Sequence, residues 1–149
     1  MAFSVLAAVG ILQRGDLRQS GGVDGGGNLC RLGAGGGSAT RISFDGSYNA
    51  SPTVSYDGKK IATAQGAGNT YRIALLDRSV GGGRWSMLSP GSLDESPSFA
   101  PNAARVLYAG REGRRGVLYA VSADGRVRQR LVLAEGDVRE PAWSPYRKK

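Results

Sequence analysis

Apolar residues come in short runs separated by glycine, asparagine and aspartate. Lys60-Ile61-Ala62-Thr63-Ala64, Ile73-Ala74-Leu75, Trp85-Ser86-Met87-Leu88 and Arg105-Val106-Leu107-Tyr108-Ala109 are typical. None carries a 3.6-residue period between paired caps, so no helix is predicted. Asp57-Gly58, Asp124-Gly125 and Gly81-Gly82-Gly83 are tight-turn signals between the runs. Short strands with turn residues every 8–12 positions or so predict an all-β chain.

The pattern repeats. Asp45-Gly46-Ser47-Tyr48-Asn49-Ala50-Ser51-Pro52-Thr53-Val54 returns as Pro90-Gly91-Ser92-Leu93-Asp94-Glu95-Ser96-Pro97-Ser98-Phe99, with Pro97 lying 45 positions after Pro52. A third copy, Glu140-Pro141-Ala142-Trp143-Ser144-Pro145-Tyr146, follows 44 positions after the second. Lys60-Ile61-Ala62-Thr63-Ala64 aligns with Arg105-Val106-Leu107-Tyr108-Ala109, and Arg41-Ile42-Ser43-Phe44, Trp85-Ser86-Met87-Leu88 and Arg130-Leu131-Val132-Leu133 close successive copies. Four strands in a period of ~40–50 residues are the mark of a β-propeller blade. Pro52, Pro97 and Pro141 are expected just before the first strand of each copy, where a missing N–H costs nothing. Val54, Phe99 and Trp143 share one place in the repeat and are expected to fill the wedges between blades.

The fold class expected is therefore an all-β partial propeller of four-stranded antiparallel blades, about 2.5 to 3 of them, open or truncated. Even four blades take about 176 residues at this period, and the chain has 149. Outer strands of one blade are expected up to about residue 44, whole blades over 45–89 and 90–133, and a single inner strand over 140–146. Residues 1–27 do not match the repeat. They are glycine-loaded and expected to be irregular. The apolar opening over residues 1–12 is too short to span a bilayer, which takes ~20 residues, and lacks the basic start of an export signal. A shifted reading frame, a mispredicted start or a fusion scar would each account for the mismatch.

Chemistry narrows the picture mainly by exclusion. Histidine is absent and Cys30 is the single cysteine, so a Ser-His-Asp relay, a His-ligated metal and an internal disulfide are excluded. Asp94 and Glu95 are adjacent and point to opposite faces of a strand, and Ser51, Ser96 and Ser144 recur with the repeat as structural residues do. No catalysis, cofactor or metal is expected. The glycine runs lack the Gly-Lys-Ser/Thr of a phosphate cradle. Net charge is +8, and most of the excess lies after Ala104. Arg126, Arg128 and Arg130 share one strand face, read as a solvated outer blade face, and no nucleic-acid signature accompanies them.

The runs Leu93-Asp94-Glu95-Ser96-Pro97-Ser98-Phe99-Ala100-Pro101-Asn102 and Pro141-Ala142-Trp143-Ser144-Pro145-Tyr146, with Val117-Leu118-Tyr119-Ala120-Val121-Ser122-Ala123-Asp124-Gly125-Arg126 between them, resemble the TolB family of propeller proteins over roughly residues 28–149. Two positions depart from the pattern: Tyr56 stands where proline is usual, and Ala103-Ala104 stand where Gly-Lys is usual. The resemblance implies a periplasmic, non-enzymatic, non-membrane-spanning protein of the Tol-Pal cell-envelope system. It implies contact with Pal, the peptidoglycan-associated lipoprotein, and with other Tol-system proteins. It also implies a part in outer-membrane integrity and its constriction during division. Loops entering the innermost strands lie near a propeller's channel mouth, which makes Tyr48, Asn49, Ser51, Asp94, Glu95, Ser96, Arg139 and Glu140 the candidate partner-binding residues. Unprotected blade edges give an expectation of self-association. Two alternatives stand beside this reading: a propeller fragment of a prolyl-peptidase-like protein, and a non-functional truncated remnant.

Overall fold

The computed structural model describes residues 9–12, 15–21, 27–32, 38, 40–43, 47–133 and 135–146, with side chains from residue 27 onward, Leu32 excepted. The expectations for residues 1–8, for the Gly35-Gly36-Gly37 run, for Phe44 and for the Arg147-Lys148-Lys149 tail lie outside the described residues.

Twelve described strands form three four-stranded antiparallel sheets, each ordered as its strands occur in the chain. The first sheet holds β1 (Val9–Leu12), β2 (Gly15–Gly21), β3 (Gly27–Leu32) and β4 (Thr40–Arg41). The second holds β5 (Tyr48–Val54), β6 (Lys60–Ala67), β7 (Thr70–Asp77) and β8 (Arg84–Met87). The third holds β9 (Glu95–Phe99), β10 (Arg105–Glu112), β11 (Arg115–Ser122) and β12 (Arg128–Leu131). Their faces stack in chain order. Ala62, Ala64, Ile73 and Leu75 of the second sheet pack on Val106, Tyr108, Val117, Tyr119 and Val121 of the third. On the other face of the second sheet, Ile61 and Leu76 meet Leu29 of the first. This is an open arc of propeller blades, with no helix among the described residues.

The structure differs from the sequence reading at three points. Residues 1–27, expected to be irregular, supply β1 and β2, and β2 pairs with β3 from Asp16↔Leu32 to Gly21↔Gly27. Glycine suits this sheet because a Cβ at Gly27 would lie 2.9 Å from Tyr48 Cδ2 and 3.0 Å from the Asn49 carbonyl oxygen. Pro52 and Pro97 lie inside β5 and β9 rather than ahead of them. Each sits where the pairing register shifts, between Ala50 and Thr53 on β5 and opposite the Leu107–Ala109 step on β10. A bulge of this kind frees one residue from the ladder, so the proline forfeits no bond. The residue before each proline has positive φ, 48° at Ser51, 54° at Ser96 and 45° at Glu140. Finally, residues 140–146 form no strand, because no described strand runs alongside to complete the ladder; the Trp143 N–H donates to Ser98 Oγ at 3.1 Å instead. Trp143 is accordingly 38% exposed rather than buried as a wedge, while Phe99 is buried and Val54 half-buried.

Small polar groups hold the copies in register. The Leu29 N–H donates to Ser43 Oγ and the Ile73 N–H to Ser89 Oγ, each at 2.8 Å, and all four residues are buried. The β5–β6 turn closes through Asp57 Oδ1, which accepts from Ser55 Oγ and the Lys59 N–H. Asp124 does the same with Ser122 and Arg126 after β11. At the β9–β10 turn, Ala103 takes φ 57° in the place where the preceding copy has Gly58 at 71°.

Candidate functional site

The inner ends of the second and third sheets meet around a cleft. Tyr48 opens β5, and its ring lies edge-on to that of Tyr71 on β7, with centroids 5.9 Å apart and planes at 86°. The two rings fit because Gly66 lies between them: a Cβ there would come 2.9 Å from Tyr71 Cε1 and 3.1 Å from Tyr48 Cβ. The connection from β8 to β9 is stitched onto β7. The Tyr71 N–H donates to the Ser92 carbonyl at 2.8 Å, and the Asp94 N–H donates to the Tyr71 carbonyl at 3.0 Å. These two bonds bring Leu93, Asp94 and Glu95 to the rings. The resulting cavity is about 430 Å³, walled by Tyr48, Ser51, Tyr71, Asp94, Glu95 and Arg111, with Ala50 and Ala64 behind them.

The two carboxylates differ in their surroundings. Asp94 is 2% exposed. Burial pushes its carboxyl above the ordinary range, against the opposing pull of hydrogen bonds from Ser89 and from the Gly91 N–H (3.1 Å) and the charges of Arg128 and Arg72. Glu95 is exposed, and its side chain makes no hydrogen bond or ion pair among the described residues. Arg111 stands between this cavity and a narrower cleft lined by Glu95, Gly116, Asp137 and Arg139, and its charge reaches Asp137.

Of the residues expected at the rim, Tyr48, Ser51, Asp94 and Glu95 converge on the cavity. Arg139 borders the adjoining cleft, where it pairs with Asp137 at 3.2 Å. Asn49 is fully buried and accepts from Gln65 Nε2 at 3.3 Å. Ser96 and Glu140 hold the positive-φ position ahead of their prolines and line neither cleft. Sequence reasoning missed Tyr71 and Arg111. Tyr71 aligns with Gly116 in the next copy, so the repeat carried no signal for it, and Arg111 read only as one more surface cation.

Arg126, Arg128 and Arg130 are all exposed, and the heads of the last two are also fastened to neighbouring side chains. Arg128 Nε donates to Tyr108 Oη at 2.8 Å, and its guanidinium lies 4.1 Å from the centroid of the Tyr119 ring. Burial above all pushes the Tyr108 phenol up to about 12. Arg130 forks onto Glu112 at 3.0 and 3.1 Å, and Glu112 also accepts from Tyr119 Oη.

Four-stranded meanders stacked face to face, with inner strands entering at one rim, define a β-propeller arc. A family model described as "TolB beta propeller domain" matches residues 20–147, and the chain belongs to that family. It is 74% identical over 117 residues to the Tol-Pal system protein TolB of Xanthomonas campestris pv. campestris (strain B100), a match covering 78% of this chain and 27% of the relative. With its counterpart from Xanthomonas oryzae pv. oryzae (strain PXO99A) it shares 76% identity over 114 residues, covering 76% and 26%. The crystal structure of TolB from Acinetobacter baumannii superposes with a TM-score of 0.78 at 45% identity, over 89% of this chain and 33% of that one. The chain thus spans about a quarter of the length of the curated relatives it matches. An acylaminoacyl peptidase from Pyrococcus horikoshii shares the fold alone, at 14% identity and a TM-score of 0.60, over 86% of this chain and 25% of that one. No helix among the described residues is long and apolar enough to cross a membrane.

Proposed function

We propose that the chain is a protein-binding module of the Tol-Pal cell-envelope system. It works in the periplasm, and its inner rim contacts Pal, the peptidoglycan-associated lipoprotein. Through that contact it supports outer-membrane integrity and its constriction during division. The observation that carries the reading is the convergence of Tyr48, Ser51, Asp94 and Glu95, from two copies of the repeat, on one cavity at the inner rim. Aromatic anchors with a polar margin are what a protein-docking surface requires. The relatives' name supplies the system. The test is a titration of the immobilised full chain with the soluble domain of Pal. Saturable binding is expected, weakened about tenfold or more by Glu95→Arg, which places a cation at the rim. A chain that unfolds cooperatively yet shows no saturable binding would overturn the reading.

A second contact follows from the two edges of the third sheet, where Val132 after β12 is 78% exposed and Tyr146, beyond the Trp143 segment that is bonded to β9, is 71% exposed. Apolar side chains this open favour self-association, read out as an increase in mass with concentration by sedimentation.

A further inference from the structure

We infer that the cavity between the second and third sheets is a receptor for one cationic side chain, arginine or lysine, presented by the docking segment of the partner. The inference rests on the partner-binding reading for the source of that side chain, and on the cavity itself for the chemistry.

Size comes first. A cavity of about 430 Å³ accepts a long side chain with room for water, and lies within the ~300–1,000 Å³ usual for specific sites. Its walls favour a cation. Tyr48 and Tyr71 both contribute rings, whose faces attract ammonium and guanidinium groups. Two carboxylates, Asp94 and Glu95, line the cavity together with the single guanidinium of Arg111, whose charge also reaches Asp137. The lining itself carries two acids and one base, and the charges of Arg72 and Arg128 act on the buried Asp94. Glu95 is the group left to bind, since its side chain has no partner among the described residues. Asp94 is committed to Gly91 and Ser89 and contributes its charge from behind.

Other occupants fit less well. An anionic side chain would meet both carboxylates. An apolar one would strip water from Glu95 without replacing its bonds, which leaves a desolvated charge. A guanidinium or ammonium replaces that water with a charge-assisted hydrogen bond.

The experiment uses the full chain and two blocked peptides, Ala-Ala-Arg-Ala-Ala and the same sequence with citrulline, the neutral isostere of arginine, at its centre. Binding is followed by the ring resonances of Tyr48 and Tyr71. The arginine peptide is expected to bind about tenfold tighter than the citrulline peptide. The preference should vanish in Glu95→Gln, whose exposed position leaves the melting curve unchanged, and should weaken as salt is raised. Equal binding of the two peptides, or unmoved Tyr48 and Tyr71 signals with both, would overturn the inference. The Pal titration separates the two proposals. If Pal binds with the same affinity to the wild-type chain and to Glu95→Gln, the cation receptor falls and the partner reading survives. If the arginine peptide binds as expected and Pal does not, the receptor survives and the partner reading falls.

Discussion

Two interfaces hold the three sheets together, and they are built differently. Between the second and third sheets, the small Ala62 and Ala64 on β6 leave room for Tyr108 and Tyr119, whose stacked rings lie 5.4 Å apart. Ile73, Leu75, Val106, Val117 and Val121 fill the remaining space, and Arg128 closes the margin over the tyrosines. Between the first and second sheets, Leu29 meets Ile61 and Leu76, flanked by the half-buried Ile42, Val54 and Trp85. The blade plan is the same in both places. Among the described side chains the pairing differs: large rings are set against alanines at one interface, and aliphatic residues meet one another at the other.

The largest expected effect tests that difference directly. Ile73→Ala removes a fully buried side chain from the interface of the second and third sheets and should lower stability by about 2–5 kcal/mol in urea unfolding. Leu29→Ala, at an equally buried site, should cost less, because its buried apolar cluster among the described residues is the smaller one. Equal losses in a single shared transition would put the two interfaces on the same footing.

The next effect concerns pH. Burial holds the Asp94 carboxyl above its ordinary range, so the folded chain takes up that proton more readily than the unfolded one. Its contribution to stability therefore grows as pH falls from the folded value toward the ordinary one near 3.8. The hydrogen bonds of Asp57 and Asp124, chiefly those from Ser55 and Ser122, lower their carboxyls, and the stability they contribute is lost as acid protonates them. Subtracting the stability profile of Asp94→Asn from that of the wild type should leave a difference that moves in the wild type's favour as pH falls. Its slope is at most about 1.4 kcal/mol per pH unit for one proton. A flat or opposite difference would remove Asp94 as the buried acid of the interface between the second and third sheets.

The smallest effect sharpens the contrast between repeats. Ala103 holds the left-handed conformation that Gly58 holds one copy earlier. Ala103→Gly should raise stability by about 0.5–1 kcal/mol, seen as a higher melting temperature. Relief of the left-handed strain, about 1–2 kcal/mol, exceeds the added freedom of the unfolded chain. An unchanged or lower midpoint would mean that the methyl group, buried at 6% exposure, matters more than the strain.

The spacing of Pro52, Pro97 and Pro141 and the short apolar runs along β6, β7, β10 and β11 made the blades legible, because both the runs and the repeat are local patterns. The outer strands of the first sheet were legible, but β1 and β2 were not, because glycine interrupts the one and bounds the other where apolar alternation would mark a strand. Residues 140–146 failed in the opposite sense. Their pattern is that of an inner strand, but strand formation needs a neighbour, and sequence spacing cannot supply one. At the site, the Ser-Pro segments pointed to Tyr48, Ser51, Asp94 and Glu95. The depth at which Asp94 sits, and the approach of Tyr71 and Arg111 from other strands, depend on how two sheets meet. The bulge itself was legible only afterwards, as the reason a proline can stand within β5 and β9.

The stitching of residues 92–94 onto β7 also governs how the arc answers mechanical load. Force drawn along the chain into β9 passes through the segment after β8, and that segment is fastened to Tyr71 by two backbone bonds running in parallel alignment. Such a fastening resists in shear, so the third sheet cannot peel away without first straining β7. Under tension the rim of the cavity would keep its shape for as long as that clasp holds.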